Sequence, residues 1–163
     1  MYVVVSDTSP LRYLIDIGET DLLRKMYARV YVPSPVVSEL SHAHTPPAVR
    51  EWIAGPPKFI EIVALGQTST VLPGNLGLGE RAVIILAFKL NADLVLIDDR
   101  AAAAEAAKLG LRVTGTLGIF DQAAKDGLID FASTVRRLQS TNFRVAPAVI
   151  DHLLREHAER RRR

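Results

Sequence analysis

Five carboxylates stand where this sequence turns from one element to the next, and their placement suggests metal chemistry. Asp7 follows a β-branched run, Asp98 and Asp99 follow a continuous apolar run, and Glu80 opens a long apolar-periodic segment. Glu39 lies one turn beyond Val36, at the border of an apolar stripe. Taken singly, three of these have ordinary explanations. Asp7-Thr8-Ser9 precedes a proline and reads as a helix cap, Asp99 as the cap of the alanine-rich segment after it, and Glu80 as an acid complementing a helix dipole. Glu39 is harder to dismiss, because a capping box opened by Ser34 would place its acid at Val37. The conjunction decides otherwise: separate elements each deliver an acid, and carboxylates brought together take up protons unless a cation neutralises them. A hard divalent ion held through oxygen is the natural neutraliser, and magnesium suits a few carboxylates together with a substrate phosphate. The sequence contains no cysteine, which excludes a thiol nucleophile and a cysteine-zinc centre and leaves any metal on oxygen or imidazole.

The elements that must position these acids alternate regularly. Residues 2–6, 30–32, 58–63, 94–97 and 112–114 have the composition and length of strands. Helical spacing or capping marks 11–15, 21–28, 36–41, 46–54, a helix from 78 or 80 to about 90, 100–109, 116–125, 131–138 and 147–160. The glycine-punctuated stretch 66–79 reads as a loop before its helix begins. Strands alternating with helices predict an α/β fold: a three-layer sandwich around a mainly parallel sheet of four or five strands, with helices on both faces. In such sheets the site lies beyond the carboxyl ends of the strands, where Asp7, Asp98 and Asp99 fall.

The chain as a whole sets the remaining bounds. At 163 residues it fits a single domain, 1–163, with 2–130 as the core and the helices of 131–160 added at its end. Hydrophobic residues make up 48% and charged ones 23%, ordinary globular usage. No apolar run is long enough to span a bilayer and no signal peptide is evident, so the expected compartment is the cytoplasm. The net charge of +2 announces no global basic field, yet the chain ends Arg160-Arg161-Arg162-Arg163, a run that reads either as a solvated tail or as an RNA-phosphate contact.

Five segments in order carry a family resemblance: Val-Val-Val-Ser-Asp-Thr-Ser-Pro-Leu, Val-Pro-Ser-Pro-Val-Val-Ser-Glu-Leu, Leu-Gly-Glu-Arg-Ala-Val-Ile, Leu-Val-Leu-Ile-Asp-Asp-Arg and Val-Thr-Gly-Thr-Leu-Gly-Ile. Over residues 2–130 the chain resembles a PIN domain, and more narrowly the stand-alone PIN proteins related to VapC toxins. The resemblance implies a ribonuclease using magnesium or manganese. Asp7 corresponds to the family's first acid, Glu39 to the second and Glu80 to the third, which is more often aspartate. The fourth is Asp98 or Asp99; spacing after the strand favours Asp99 as the catalytic acid, with Asp98 as a further metal ligand. Ser9 and Thr116 are implied to hold water or a carboxylate behind them. RNA is the implied substrate, with a small antitoxin protein and a second copy of the chain as partners. Leu22, Leu23 and Met26 exceed what one core face requires and are expected to serve that dimer. Loop residues His42 and His44 read as solvated, and Trp52 as packing. Two other readings compete: an aspartyl-phosphate phosphatase, which would want an aspartate where Ser9 stands, and a PIN-like module that binds RNA or protein with weak catalysis or none.

Overall fold

The computed structural model describes residues 1–66 and 72–163. They fall into two compact units, Met1–Thr116 and Leu117–Arg163. The first holds five strands, β1 (Val4–Ser6), β2 (Val30–Pro33), β3 (Ile60–Val63), β4 (Leu94–Leu96) and β5 (Val113–Thr114), all parallel and ordered β3-β2-β1-β4-β5. Around them lie α1 (Thr8–Asp16), α2 (Asp21–Tyr27), α3 (Ser34–Leu40), α4 (Pro47–Ala54), α5 (Leu78–Leu90) and α6 (Arg100–Lys108). The strand order carries the functional consequence. From β1 the chain steps outward to β2 and β3, then crosses back to place β4 on the other side of β1. The reversal therefore falls between β1 and β4, and a crevice opens there beyond their carboxyl ends.

The central strands are apolar without alternation because both their faces are covered. Val4, Val5 and Ser6 of β1 are all buried, as are Leu94, Val95 and Leu96 of β4. The edge strand β3 buries Ile60 and leaves Ile62 exposed. Helix α5 is the core helix, with every residue from Ala82 to Ala87 buried, so it has no single apolar stripe. It packs on β1, β2 and β4 and against α3 and α6. It ends at Asn91, whose left-handed conformation (φ 49°) turns the chain toward β4.

Each expected strand and helix is present, with ends that coincide or shift by at most three residues. The loop expected over 66–79 gives way to α5 at Leu78, and its residues 67–71 lie outside those described. One expectation is corrected. Leu22 and Leu23 are buried within the first unit (2% and 0% exposed), so they are core rather than apolar surplus for a second copy. Met26 beside them is half-buried.

Helix α7 (Thr116–Lys125) leads into the second unit, which also holds α8 (Phe131–Gln139) and α9 (Pro147–Arg162). Asp130 caps α8 by accepting the Ser133 N–H at 2.9 Å, and Phe131, Thr134, Val135 and Leu138 form its buried stripe. His157 on α9 lies 2.8 Å from Asp121 on α7 and stacks on Phe131, with ring centroids 4.3 Å apart. Helix α9 runs on through Arg162, so Arg160, Arg161 and Arg162 are helical, and Arg161 pairs with Asp130. Among the described residues no helix is long and apolar enough to cross a membrane.

Candidate active site

Asp7 sits at the head of the β1–β4 crevice. Its backbone N–H donates to the Leu96 carbonyl at 2.9 Å, which extends the pairing of β1 with β4 one residue past the strand and fixes where the side chain emerges. Asp7 occupies the cap position of α1 (φ −81°, ψ 175°), yet its carboxylate makes no capping hydrogen bond. The capping explanation suggested by the sequence therefore does not account for it. The residue is 5% exposed. Burial, as the largest cause, pushes its carboxyl up from 3.8 to about 7; the Thr8 backbone N–H opposes this, and the charges of Glu80, Glu39 and Asp98 add to the rise. Carboxylates from four elements are thus close enough to act on one another.

Glu39 reaches this place from α3 by crossing to two helix beginnings. One oxygen accepts the Thr8 hydroxyl at the start of α1, and the other accepts the Gly79 backbone N–H at 3.0 Å, in the first turn of α5. That N–H has no partner within its own helix, so the carboxylate completes the helix end while being held by it. Contact this close needs glycine: a Cβ on Gly79 would lie 2.7 Å from Glu39 Cδ. Glu80, one residue on, folds back to accept the Gly77 backbone N–H at 3.0 Å. It does cap α5, as its place at a helix start suggests, and it also adds its charge to the field on Asp7.

The adjacent acids Asp98 and Asp99 separate. Asp98 is held on both oxygens by Thr116, by its backbone N–H and its hydroxyl, each at 2.7 Å. Burial raises its carboxyl above 3.8, and both Thr116 bonds oppose that. Gly115 clears the space: a Cβ there would lie 2.7 Å from Asp98 Oδ1. Asp99 instead caps α6, accepting the Ala102 N–H at 2.9 Å, and it is not among the charges acting on Asp7. The preference for Asp99 as fourth acid is thus reversed in the geometry. Helix α6 begins at Arg100, so Asp99 takes its cap position, while Asp98, one residue earlier, is left to Thr116.

Of the supporting residues expected, Thr116 holds Asp98, whereas Ser9 is half-buried in the first turn of α1 and makes no hydrogen bond to a carboxylate among the described residues. The hydroxyl serving Glu39 is that of Thr8, one residue earlier. Thr8, Gly77, Gly79 and Gly115 carry no mark in the sequence that separates them from ordinary turn residues. Two of these acids sit opposite glycines at helix or strand ends, a signal that is visible only once the pairing is known. His42 and His44 are exposed and stack on each other at 5.1 Å, and Trp52 is half-buried in α4.

A hard divalent ion matches the chemistry of Asp7, Glu39, Glu80 and Asp98, oxygen donors of which Asp7 is buried, Glu80 and Asp98 are half-buried and Glu39 is exposed. Each carboxylate has about four lone-pair positions, so those engaged by Thr8, Gly77, Gly79 or Thr116 retain capacity for an ion. Among the described residues no three of these side chains already close around one point.

Comparison with known proteins bears on the fold and the family. No curated protein matches the chain. Among solved structures, a PilT N-terminus domain protein, SSO1118 from the hyperthermophilic archaeon Sulfolobus solfataricus P2, is 17% identical. The alignment covers 90% of this chain and 100% of that one, with a TM-score of 0.51. The PIN domain endonuclease Utp24 is 15% identical, with 70% of this chain and 84% of that one covered and a TM-score of 0.52. At these identities the two establish a shared fold. The family model described as a PIN domain matches residues 3–159, nearly the whole length, and the chain belongs to the PIN domain family.

Proposed function

We propose that this protein is a divalent-metal-dependent endoribonuclease that hydrolyses RNA phosphodiester bonds at the β1–β4 crevice. The observation that carries this reading is Asp7, buried at the switch point with its carboxyl pushed to about 7 by burial and by three other carboxylates. A side chain so placed stores electrostatic cost without supporting the fold, as functional groups do. Utp24, a PIN domain endonuclease, supports the reading through the shared fold. Asp7 is the central ligand, flanked by Glu39, Glu80 and Asp98. Magnesium or manganese bound there would supply charge neutralisation at the phosphate and a water of lowered pKa. The chain's own part is positioning. Thr8 and Gly79 fix Glu39, Gly77 fixes Glu80, and Thr116 fixes both oxygens of Asp98, so the acids are oriented before substrate arrives.

The finer reading is a VapC-like toxin of a type II pair, neutralised by a small antitoxin and acting in the cytoplasm. An adjacent reading frame encoding a DNA-binding partner would support it. A weakly catalytic RNA- or protein-binding module is the second reading, favoured by one observation: the longer Glu80 side chain turns back to Gly77.

Asp7→Asn is the test of the main reading. The variant should fold and lose metal-dependent cleavage of a mixed RNA pool, and manganese uptake by calorimetry should fall with it. Equal cleavage by variant and parent would remove Asp7 from the reaction.

A further inference from the structure

The basic side chains of the unit Met1–Thr116 are sorted by the parallel topology. Five are engaged by carboxylates: Arg12 by Asp16, Arg24 and Lys25 by Asp21, Arg29 by Glu61, and Lys108 by Glu105. Arg81 donates to the Pro73 carbonyl at 2.6 Å and the Leu72 carbonyl at 3.4 Å. Lys58 stands two residues before β3, Arg112 immediately before β5, and Lys89 at the end of α5 before β4, so these three stand at the amino edge of the sheet, away from the acids. Arg50 is half-buried in the middle of α4.

Arg100 remains. It is the first residue of α6, exposed, two residues beyond Asp98, and therefore at the carboxyl edge within about 7 Å of backbone from that acid. Among the described residues its side chain has no ion pair and no hydrogen bond, and its charge is not among those acting on Asp7 or Asp98. Residues 67–71, Gln-Thr-Ser-Thr-Val, contain no lysine, arginine, aspartate or glutamate, so they add neither a rival cation nor a carboxylate partner. The rim repels a polyanion, and an uncommitted arginine two residues along the chain from Asp98 carries the planar fork that fits two phosphate oxygens.

We infer that Arg100 is a substrate-binding residue of this site, holding a non-bridging phosphate of single-stranded RNA next to the one at the acids. The inference deepens the nuclease reading and rests on it for which phosphate is cleaved, though not for RNA binding itself. An adjacent-phosphate contact is made alike in ground state and transition state, so it acts on binding and KM rather than on kcat.

The test measures anisotropy of a short labelled mixed-sequence oligoribonucleotide against salt in the Asp7→Asn background, and cleavage kinetics in the parent. Arg100→Gln should flatten the slope of log affinity against log salt by about 0.7 and weaken low-salt binding roughly three- to tenfold. Arg100→Lys should keep the slope. Arg112→Gln, the same charge change at the opposite edge, should leave it unchanged. In cleavage, Arg100→Gln should raise KM and spare kcat. An unchanged slope with Arg100→Gln, or an equal loss with Arg112→Gln, overturns the assignment. If the slope falls only with Arg100→Gln while the parent does not cleave, Arg100 stands and the nuclease reading fails. Metal-dependent cleavage with an unchanged slope and KM leaves the nuclease reading standing and removes Arg100, and a parent that binds no RNA overturns both.

Discussion

Glu39 on α3 accepts the backbone N–H of Gly79 at 3.0 Å, so one hydrogen bond ties the second acid of the site to the helix that presents the third. Gly79→Ala tests this coupling. Alanine is the better helix former by about 1 kcal/mol, which offsets part of any strain. Its Cβ, however, would stand 2.7 Å from Glu39 Cδ, and the carboxylate must move. We expect the melting temperature to change by a few degrees at most, while manganese affinity falls about 10- to 100-fold, the usual cost of disturbing a ligand's support. Unaltered metal affinity would show that Glu39 is not a ligand.

Asp7 sets the pH dependence of the metal-free protein. Its folded-state carboxyl, at about 7, lies above the unfolded value of 3.8, so the folded chain holds the proton more tightly and loses stability as pH rises between those values. Asp98, also raised, acts in the same direction. Without metal, the protein should melt lower at pH 8 than at pH 5. Asp7→Asn should remove most of that difference and stabilise the pH 8 protein by at most about 4 kcal/mol. Melts across pH in the presence of chelator measure this, and a variant less stable than the parent at pH 8 would contradict it.

Asp98 and Asp99 should separate cleanly by mutation. Asp98→Asn is expected to lower cleavage by at least about a hundredfold with little change in stability. Asp99→Ala should cost about 1 kcal/mol by uncapping α6 and leave kcat within a fewfold of the parent. The reverse pattern, measured by single-turnover cleavage and thermal melts, would return the fourth-acid role to Asp99.

Thr116→Val removes the hydroxyl that Asp98 Oδ2 accepts at 2.7 Å and keeps the backbone N–H on Oδ1. Both bonds lower the Asp98 carboxyl, so losing one must raise it further. The acid limb of the pH profile of kcat/KM should move to higher pH, with activity recovering as pH rises. A uniform loss across pH, with the limb unmoved, would mean that Thr116 only packs.

The sequence by itself determined the alternation of strands and helices, because apolar runs such as 94–97 and the periodic stretch of α5 are strong local signals. It also placed Asp7 and the 98–99 pair after strands and Glu80 at a helix start, positions that parallel alternation sends to one edge, and Glu39 within the helix after the second strand. What it left open turned on single-residue geometry. Whether Asp98 or Asp99 is free of capping depends on which residue α6 begins at, because the residue just before that start gives its carboxylate to the helix. Whether Thr8 or Ser9 serves Glu39 depends on how α1 begins against α3, an arrangement between elements 31 positions apart. Only the tertiary structure showed that Leu22 and Leu23 are core, since a helix's inner face is defined by what packs on it. The closeness of Asp7 to three other acids was likewise decided by the crossover that returns β4 to the side of β1, because only that return brings the ends of distant strands together.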